Sequence, residues 1–249
     1  MKKDTTRQAV NVVALIAVIA VNALANALPL NGQTTGEISD RFDVYFVPAG
    51  YVFSIWGLIY LLLGLMVIRL LVMDGKDLDT PKMRRFIYAF IASSVLNGLW
   101  LLAWHSLIPW LSLVVITGLL ISLIVAYLHV PDDDLWTKLP ISIYLGWISV
   151  ATLLNITIVL TTTDFFTNVS ETLYFIVIIL LGIALAYALL RRGDVPYALV
   201  FIWAYFAIFI RHFQEENLLL YTTAGMAGIL IVLMVLFTVY RNGYALYQE

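Results

Sequence analysis

Residues 138–161 read KLPISIYLGWISVATLLNITIVLT. This run is apolar enough and long enough to cross a bilayer as a helix, which takes roughly 20 residues. Within it, Trp147, Ala151 and Asn155 recur every four residues, so they share one face of a helix. An amide that faced hydrocarbon would cost free energy, because lipid offers no hydrogen-bond partner. The face that carries Asn155 is therefore predicted to point into a helix bundle.

Similar apolar runs fill most of the chain. Hydrophobic residues make up 62% of it and charged residues 12%, whereas a soluble domain has about half and about a quarter. The sequence predicts an all-α integral membrane protein with eight transmembrane helices and no room for a soluble domain. The predicted spans are residues 8–30, 48–73, 85–104, 107–129, 138–161, 171–190, 195–212 and 217–240.

The positive charges predict the orientation, because Lys and Arg in short loops stay on the cytoplasmic side. In the eight-helix scheme twelve of these residues fall on one side, and only Arg41 and Arg211 fall on the other. We therefore expect both termini to be cytoplasmic and the protein to lie in the plasma membrane. The start of the chain also resembles a cleavable secretion signal. We expect an uncleaved first helix instead, because the apolar run continues to Leu30.

Other features of the composition narrow the function. The chain contains no cysteine, which excludes disulfides, thiolate metal sites and cysteine nucleophiles. The net charge of −2 indicates no nucleic-acid partner. No Asp, Glu, Lys or Arg lies well inside a predicted span, whereas ion-coupled carriers usually place ionisable groups there. A coupled pump is therefore not expected.

Two further spans carry a face of aromatic and amide side chains at intervals of three or four. These residues are Phe53, Trp56 and Tyr60 in the second span, and Asn97, Trp100 and Trp104 in the third. With a rise of roughly 1.5 Å per residue, Trp56, Asn97 and Asn155 all lie roughly 9–12 Å below the outer surface. Indole rings and amides in one layer suit a flat, largely apolar ligand with a few polar edges. The first loop, residues 31–47, is long enough to fold over the mouth of such a bundle.

These motifs resemble those of the tryptophan-rich sensory protein, or peripheral benzodiazepine receptor (TspO/MBR), family. Residues 48–60, PAGYVFSIWGLIY, are similar to that family's proline-led entry into its second helix. LNGLW at residues 96–100 and WISVATLLN at residues 147–155 are similar to its helix-three and helix-five signatures. The resemblance covers residues 8–161 and implies a TspO-like five-helix bundle, residues 1–165. It leaves the last three predicted spans unexplained, and we expect these to form a three-helix extension, residues 166–249.

The resemblance implies binding of tetrapyrroles and related flat hydrophobic molecules, for their transport, sensing or light-dependent breakdown. Porphyrin breakdown is the only enzymatic activity it implies, and we expect no catalytic residue, no metal site and no resident cofactor, with porphyrin or haem as ligand. Expected partners are a hydrophobic small molecule, membrane lipids and a second copy in a homodimer. The expected ligand-binding residues are Phe53, Trp56, Tyr60, Asn97, Trp100, Trp147, Ala151 and Asn155.

Several alternatives stay open from the residues. The same aromatic and amide groups are common structural contacts between membrane helices. The chain could be an uncoupled small-molecule permease that uses all eight helices, or a membrane scaffold whose last three helices dock a regulatory partner. His105 and His212 could be imagined as paired haem ligands, but histidines at helix ends are usually interfacial.

Overall fold

The computed structural model describes residues 16–17, 20, 32–73, 75–78, 80–130, 134–163 and 169–245. Within these residues the protein is helical, with no β-strand. The helices are α1 (Thr35–Ser39), α2 (Ile55–Val72), α3 (Gly75–Leu78), α4 (Pro81–His105), α5 (Pro109–His129), α6 (Leu135–Thr162), α7 (Glu171–Leu190), α8 (Val195–Gln214) and α9 (Leu218–Ala245), and a 3₁₀ turn, Gly50–Ser54, leads into α2.

Seven of these helices are long and apolar enough to cross a membrane, namely α2 with its 3₁₀ turn and α4 to α9. They confirm seven of the eight predicted spans. The first predicted span, residues 8–30, and the question of its cleavage lie outside the described residues, apart from positions 16, 17 and 20. A helix satisfies its own backbone hydrogen bonds, which is why apolar runs of this length fold as helices in lipid.

Two helices begin earlier than the apolar runs predict. α4 begins at Pro81 because the Thr80 hydroxyl caps it, accepting from the Met83 N–H at 3.2 Å, and proline fits the first turn. α6 begins at Leu135, so Pro140 lies inside the helix. α6 is also the most buried of the seven along its apolar stretch.

Contacts divide the chain into two compact units. The first comprises Met1–Arg41 and Phe53–Ile148, and the second comprises Phe42–Val52 and Ser149–Glu249. The boundary after Ile148 lies inside the continuous helix α6. The division into residues 1–165 and 166–249 remains a prediction.

In the first unit, α4 and α5 form a helical hairpin. Only three residues, 106–108, separate the two helices, and Leu107 adopts a positive φ of 55° there. The helices then pack against each other closely. The first loop begins with α1, where Thr34 and Glu37 form a reciprocal capping box. The pKa of Glu37 is lowered mainly by the hydrogen bond from the Thr34 backbone N–H, and to a smaller extent by the hydrogen bond with the Thr34 hydroxyl.

In the second unit, residues 42–52 are held against α7 and α8, and we call them the anchored segment. The Tyr45 N–H donates to Glu171 Oε1 at 2.9 Å, and the Tyr45 carbonyl accepts from His212 Nε2 at 2.7 Å. His212 Nδ1 lies 2.9 Å from Glu215 Oε2. The rings of Tyr45 and His212 also meet edge to face. Both polar groups of the Tyr45 backbone are thus satisfied by side chains more than a hundred residues away in sequence.

The end of the anchored segment is held by α8. The Ala49 N–H donates to the Ala207 carbonyl at 3.1 Å, and Trp203 Nε1 donates to the Val52 carbonyl at 3.1 Å. Backbone outside regular helices leaves some N–H and C=O groups without partners in a helical ladder, so these bonds help to decide where the segment can pack. The proline-led entry into the second span is therefore joined to the C-terminal helices of its unit.

The helices of the second unit pack through tyrosines that donate hydrogen bonds. Tyr197 donates to Ser149 Oγ at 2.9 Å and so joins α8 to α6. Tyr205 donates to the Ile179 carbonyl of α7 at 2.7 Å, and its ring fills the space beside Gly182. Both hydroxyls are satisfied, as buried polar groups in membranes require.

Candidate functional site

Trp56 is the centre of a buried aromatic cluster in the first unit. It lies in the first turn of α2 and is 2% exposed. Tyr60 lies one turn later on the same face, and the two rings stack with centroids 5.4 Å apart and planes 14° apart. This is the contact that the spacing of four predicts.

Two other helices bring rings to Trp56. Trp100 of α4 lies 6.4 Å from it, and Tyr144 and Trp147 of α6 lie 6.0 and 6.2 Å from it, all between ring centroids. The Trp147 ring also meets Phe53 edge to face at 5.8 Å. We call Phe53, Trp56, Tyr60, Asn97, Trp100, Tyr144 and Trp147 the Trp56 cluster. Six of these seven residues are predicted site residues, and they come from the 3₁₀ turn with α2, from α4 and from α6.

Asn97 lies three residues before Trp100 on α4 and is 1% exposed. Next along α4, Trp104 stacks on Trp100 with centroids 5.8 Å apart, and its Nε1 donates to the Thr35 carbonyl at 3.2 Å. Thr35 begins α1. The start of the first loop is therefore tied to the helix that carries Asn97 and Trp100.

Several polar atoms of the Trp56 cluster are buried and have no hydrogen-bond partner in the part of the chain that the structure describes. Three of them are indole donors, one is a phenol and one is an amide oxygen. They are Trp56 Nε1, Trp100 Nε1, Trp147 Nε1, Tyr144 Oη and Asn97 Oδ1. A buried polar group without a partner costs about 1–3 kcal/mol. Such groups are uncommon in proteins, so five of them in one cluster require an explanation. A bound molecule that forms the missing hydrogen bonds would explain them.

The comparison with protein families matches almost the whole chain. The family described as TSPO-like protein matches residues 8–237. The chain belongs to the TSPO-like protein family. The match extends over α7, α8 and most of α9, beyond the residues 8–161 whose motifs carry the resemblance. With seven apolar helices of spanning length, this TSPO-like protein is a multi-pass integral membrane protein.

The comparisons with curated proteins and with solved structures give no match. Membership of the family indicates a membrane protein that binds or transports a ligand. The chemistry of that ligand follows from the residues of the site.

Two predicted site residues lie in the second unit rather than with the Trp56 cluster. Ala151 and Asn155 follow Trp147 by one and two turns of α6, and both are buried. Asn155 Nδ2 donates to the Ala151 carbonyl at 2.8 Å, within the helix itself. Their role as ligand contacts stays a prediction for this TSPO-like protein.

The sequence reasoning missed Tyr144 and left Trp104 out of the expected site. Tyr144 lies three residues before Trp147, so the same helical spacing that singles out Ala151 and Asn155 includes it. Trp104 lies on the face of Asn97 and Trp100, and its role as a donor to the first loop depends on a contact across 69 residues. Spacing could therefore have found Tyr144, whereas the partner of Trp104 needed the fold.

The two histidines make structural hydrogen bonds. His105 Nδ1 donates to the Leu101 carbonyl at 2.9 Å, one turn earlier in α4. His212 bonds to the Tyr45 carbonyl of the anchored segment through Nε2 and to Glu215 through Nδ1. In the ranges that the structure describes, no group of three or more His, Asp or Glu residues is arranged to hold a metal ion.

Proposed function

We propose that this TSPO-like protein binds a planar hydrophobic ligand of the porphyrin type at the Trp56 cluster, for its transport or sensing at the plasma membrane. The observation that carries the proposal is the set of buried polar atoms without described partners among stacked and edge-to-face rings. Aromatic faces offer flat apolar contact, and the indole and phenol hydrogens offer directional bonds to a ligand edge.

The finer arrangement belongs to the same proposal. The N-terminal five helices form the ligand-binding bundle, the last three form an extension, and both termini are cytoplasmic. Ala151 and Asn155 of α6 are further proposed ligand contacts, where a small side chain at position 151 would leave room for a ligand. Membrane lipids and a second copy of the chain are the proposed partners besides the ligand.

A titration of the detergent-purified protein with protoporphyrin tests the proposal, followed by tryptophan quenching and by the porphyrin absorption band. We expect saturable binding in the micromolar range or tighter. Trp56→Ala should weaken it at least tenfold, because it removes the ring that contacts Tyr60, Trp100, Tyr144 and Trp147. Asn155→Ala tests the proposed contact at Asn155 in the same assay.

Trp110→Ala is the matched control, since Trp110 is a 56% exposed indole of α5 in the same unit. It should leave the dissociation constant unchanged. Equal, unsaturable quenching in the wild type, in Trp56→Ala and in Trp110→Ala would mean partition into the micelle and would overturn the proposal. Flux through liposomes without a saturable site would then point to a permease.

A further inference from the structure

The unpartnered atoms of the Trp56 cluster are mostly donors. Trp56, Trp100 and Trp147 each present an indole N–H, and Tyr144 presents an O–H. Among these described atoms, the amide oxygen of Asn97 can only accept, and the Tyr144 hydroxyl can also accept. A ligand that satisfies this set must carry several acceptor atoms along its edge.

Charged groups are absent from the buried part of this unit, as far as the structure describes it. None of its described Asp, Glu, Lys or Arg side chains is buried. Along α6 the nearest cation to Tyr144 is Lys138, a partly exposed residue of the first turn, six residues earlier and about 9 Å away along the axis. The donors of the cluster are therefore neutral, and no described cation lies buried among them.

Neutral donors without a buried cation favour one kind of ligand acceptor over another. A carbonyl or ester oxygen can accept from an indole or phenol without bringing a charge out of water. A carboxylate accepts more strongly, but its burial without a cation costs more than neutral donors return. The same ring system should thus bind better when its acidic groups are masked.

We infer that the Trp56 cluster selects an uncharged planar ligand whose edge carries carbonyl or ester acceptors, over the same ring system with free carboxylates. The inference rests on the proposed function and names the chemical class of its ligand. The aromatic side chains pack against the faces of the ligand ring, and the four donors form hydrogen bonds with acceptors on its edge.

Protoporphyrin dimethyl ester and protoporphyrin diacid form a matched pair of probes, because they share the ring and differ in charge. At pH about 7 we expect the ester to bind the wild type at least tenfold more tightly than the diacid. The diacid should gain affinity relative to the ester as its carboxyl groups become protonated at lower pH, since protonation of the ring nitrogens is common to both probes. A diacid that binds as tightly as the ester at neutral pH would overturn the inference.

Tyr144→Phe isolates one donor, since it removes a hydroxyl and keeps the ring. We expect it to weaken ester binding roughly twofold to tenfold, the range for one neutral hydrogen bond. The ester partitions equally into the micelles of wild type and variant. The ratio of its affinities for the two proteins is therefore free of the contribution from partitioning. Tyr88→Phe, which removes the hydroxyl of a 62% exposed tyrosine in α4, is the control and should have no effect.

Thermal unfolding gives a second readout that a purely structural hydroxyl would not produce. Without ligand, Tyr144→Phe should be as stable as the wild type or more so, because an unpartnered buried hydroxyl is removed. With ester, it should gain less stability than the wild type. Lower stability without ligand and unchanged ester affinity would contradict the inference. If neither probe binds saturably, the proposed function itself fails.

Discussion

Trp56 contacts four rings from three helices and is 2% exposed, yet its indole N–H has no partner in the described chain. If position 56 only packed against its neighbours, phenylalanine or leucine, which carry no hydrogen-bond donor, would fill it equally well. In the second unit, Tyr197 and Tyr205 show the contrasting case, because their hydroxyls are both satisfied by hydrogen bonds to other helices. Buried donors with partners act as structural contacts, and buried donors without partners are where a ligand is expected.

Gly182 offers a test of close packing by a single residue. A Cβ at this position would lie 3.0 Å from Phe201 Cε1 and would collide with the Tyr205 hydroxyl. Gly182→Ala should therefore displace the tyrosine that bonds to Ile179, and lower the free energy of unfolding by about 1–3 kcal/mol. Thermal unfolding in detergent, followed by circular dichroism, measures the change.

Gly64→Ala is the matched control in α2. A Cβ there has no described atom within 4 Å, and alanine favours a helix over glycine by about 0.5–1 kcal/mol. The control should keep or raise the melting temperature. Equal melting temperatures for the two variants would show that Tyr205 does not hold its place beside α7.

The anchored segment is held in place by side chains from elsewhere in its unit. His212 and Glu171 satisfy the backbone of Tyr45, and Trp203 bonds to Val52. His212 is 2% exposed, and its Nε2 must be a donor because the Tyr45 carbonyl can only accept. The segment that leads into α2 is thereby fixed at its start and at its end.

His212→Phe should loosen the anchored segment. Phenylalanine keeps a ring of similar size and removes both hydrogen bonds, so the Tyr45 carbonyl loses its donor. We expect backbone amides of residues 43–49 to exchange hydrogen about tenfold faster, measured by mass spectrometry. His129→Phe removes a histidine at the exposed end of α5 and should leave that exchange unchanged. Unchanged protection in His212→Phe would contradict the anchoring.

The capping box of α1 predicts a pH dependence. Since hydrogen bonds with Thr34 lower the pKa of Glu37 in the folded protein, its contribution is complete above the ordinary carboxyl pKa and is lost as pH falls through the folded value. Protection of the Thr34 amide, which donates to Glu37 Oε2, should therefore be greater at pH about 6 than at pH about 3. Glu37→Gln keeps an acceptor and should lose this dependence; an unchanged profile in that variant would assign the effect to another group.

The whole chain is predicted to cross the membrane eight times, seven of them through described helices. The sequence contains no cysteine, so single cysteines can report topology without a background. With an impermeant maleimide on intact cells, Lys3→Cys and Gln248→Cys should react only after permeabilisation. Asp40→Cys, in the first loop, should react before it. Termini on opposite sides would mean that residues 8–30 do not span.

The spans and the inward faces could be predicted from the sequence, because helix length in lipid and a spacing of three to four residues are local properties. The spacing predicts that Trp56, Asn97, Trp100 and Trp147 face inward, and all four are buried. That Tyr144 completes the cluster, and that Ala151 and Asn155 fall in the other compact unit, depends on how helices distant in sequence pack. The position of the anchored segment could not be predicted either, since Tyr45 and His212, which hydrogen-bond to each other, are 167 residues apart in sequence.

Length, apolarity and charge bias are enough to define a helical membrane protein, since the bilayer acts on each segment independently and admits only self-satisfied backbone. Motif spacing is enough to indicate its family. Which donors find partners is decided only by tertiary structure, because a hydrogen bond needs two groups brought within about 3 Å from separate helices. The partners of Trp104, Tyr197 and His212, and the unpartnered donors around Trp56, are properties of the folded chain.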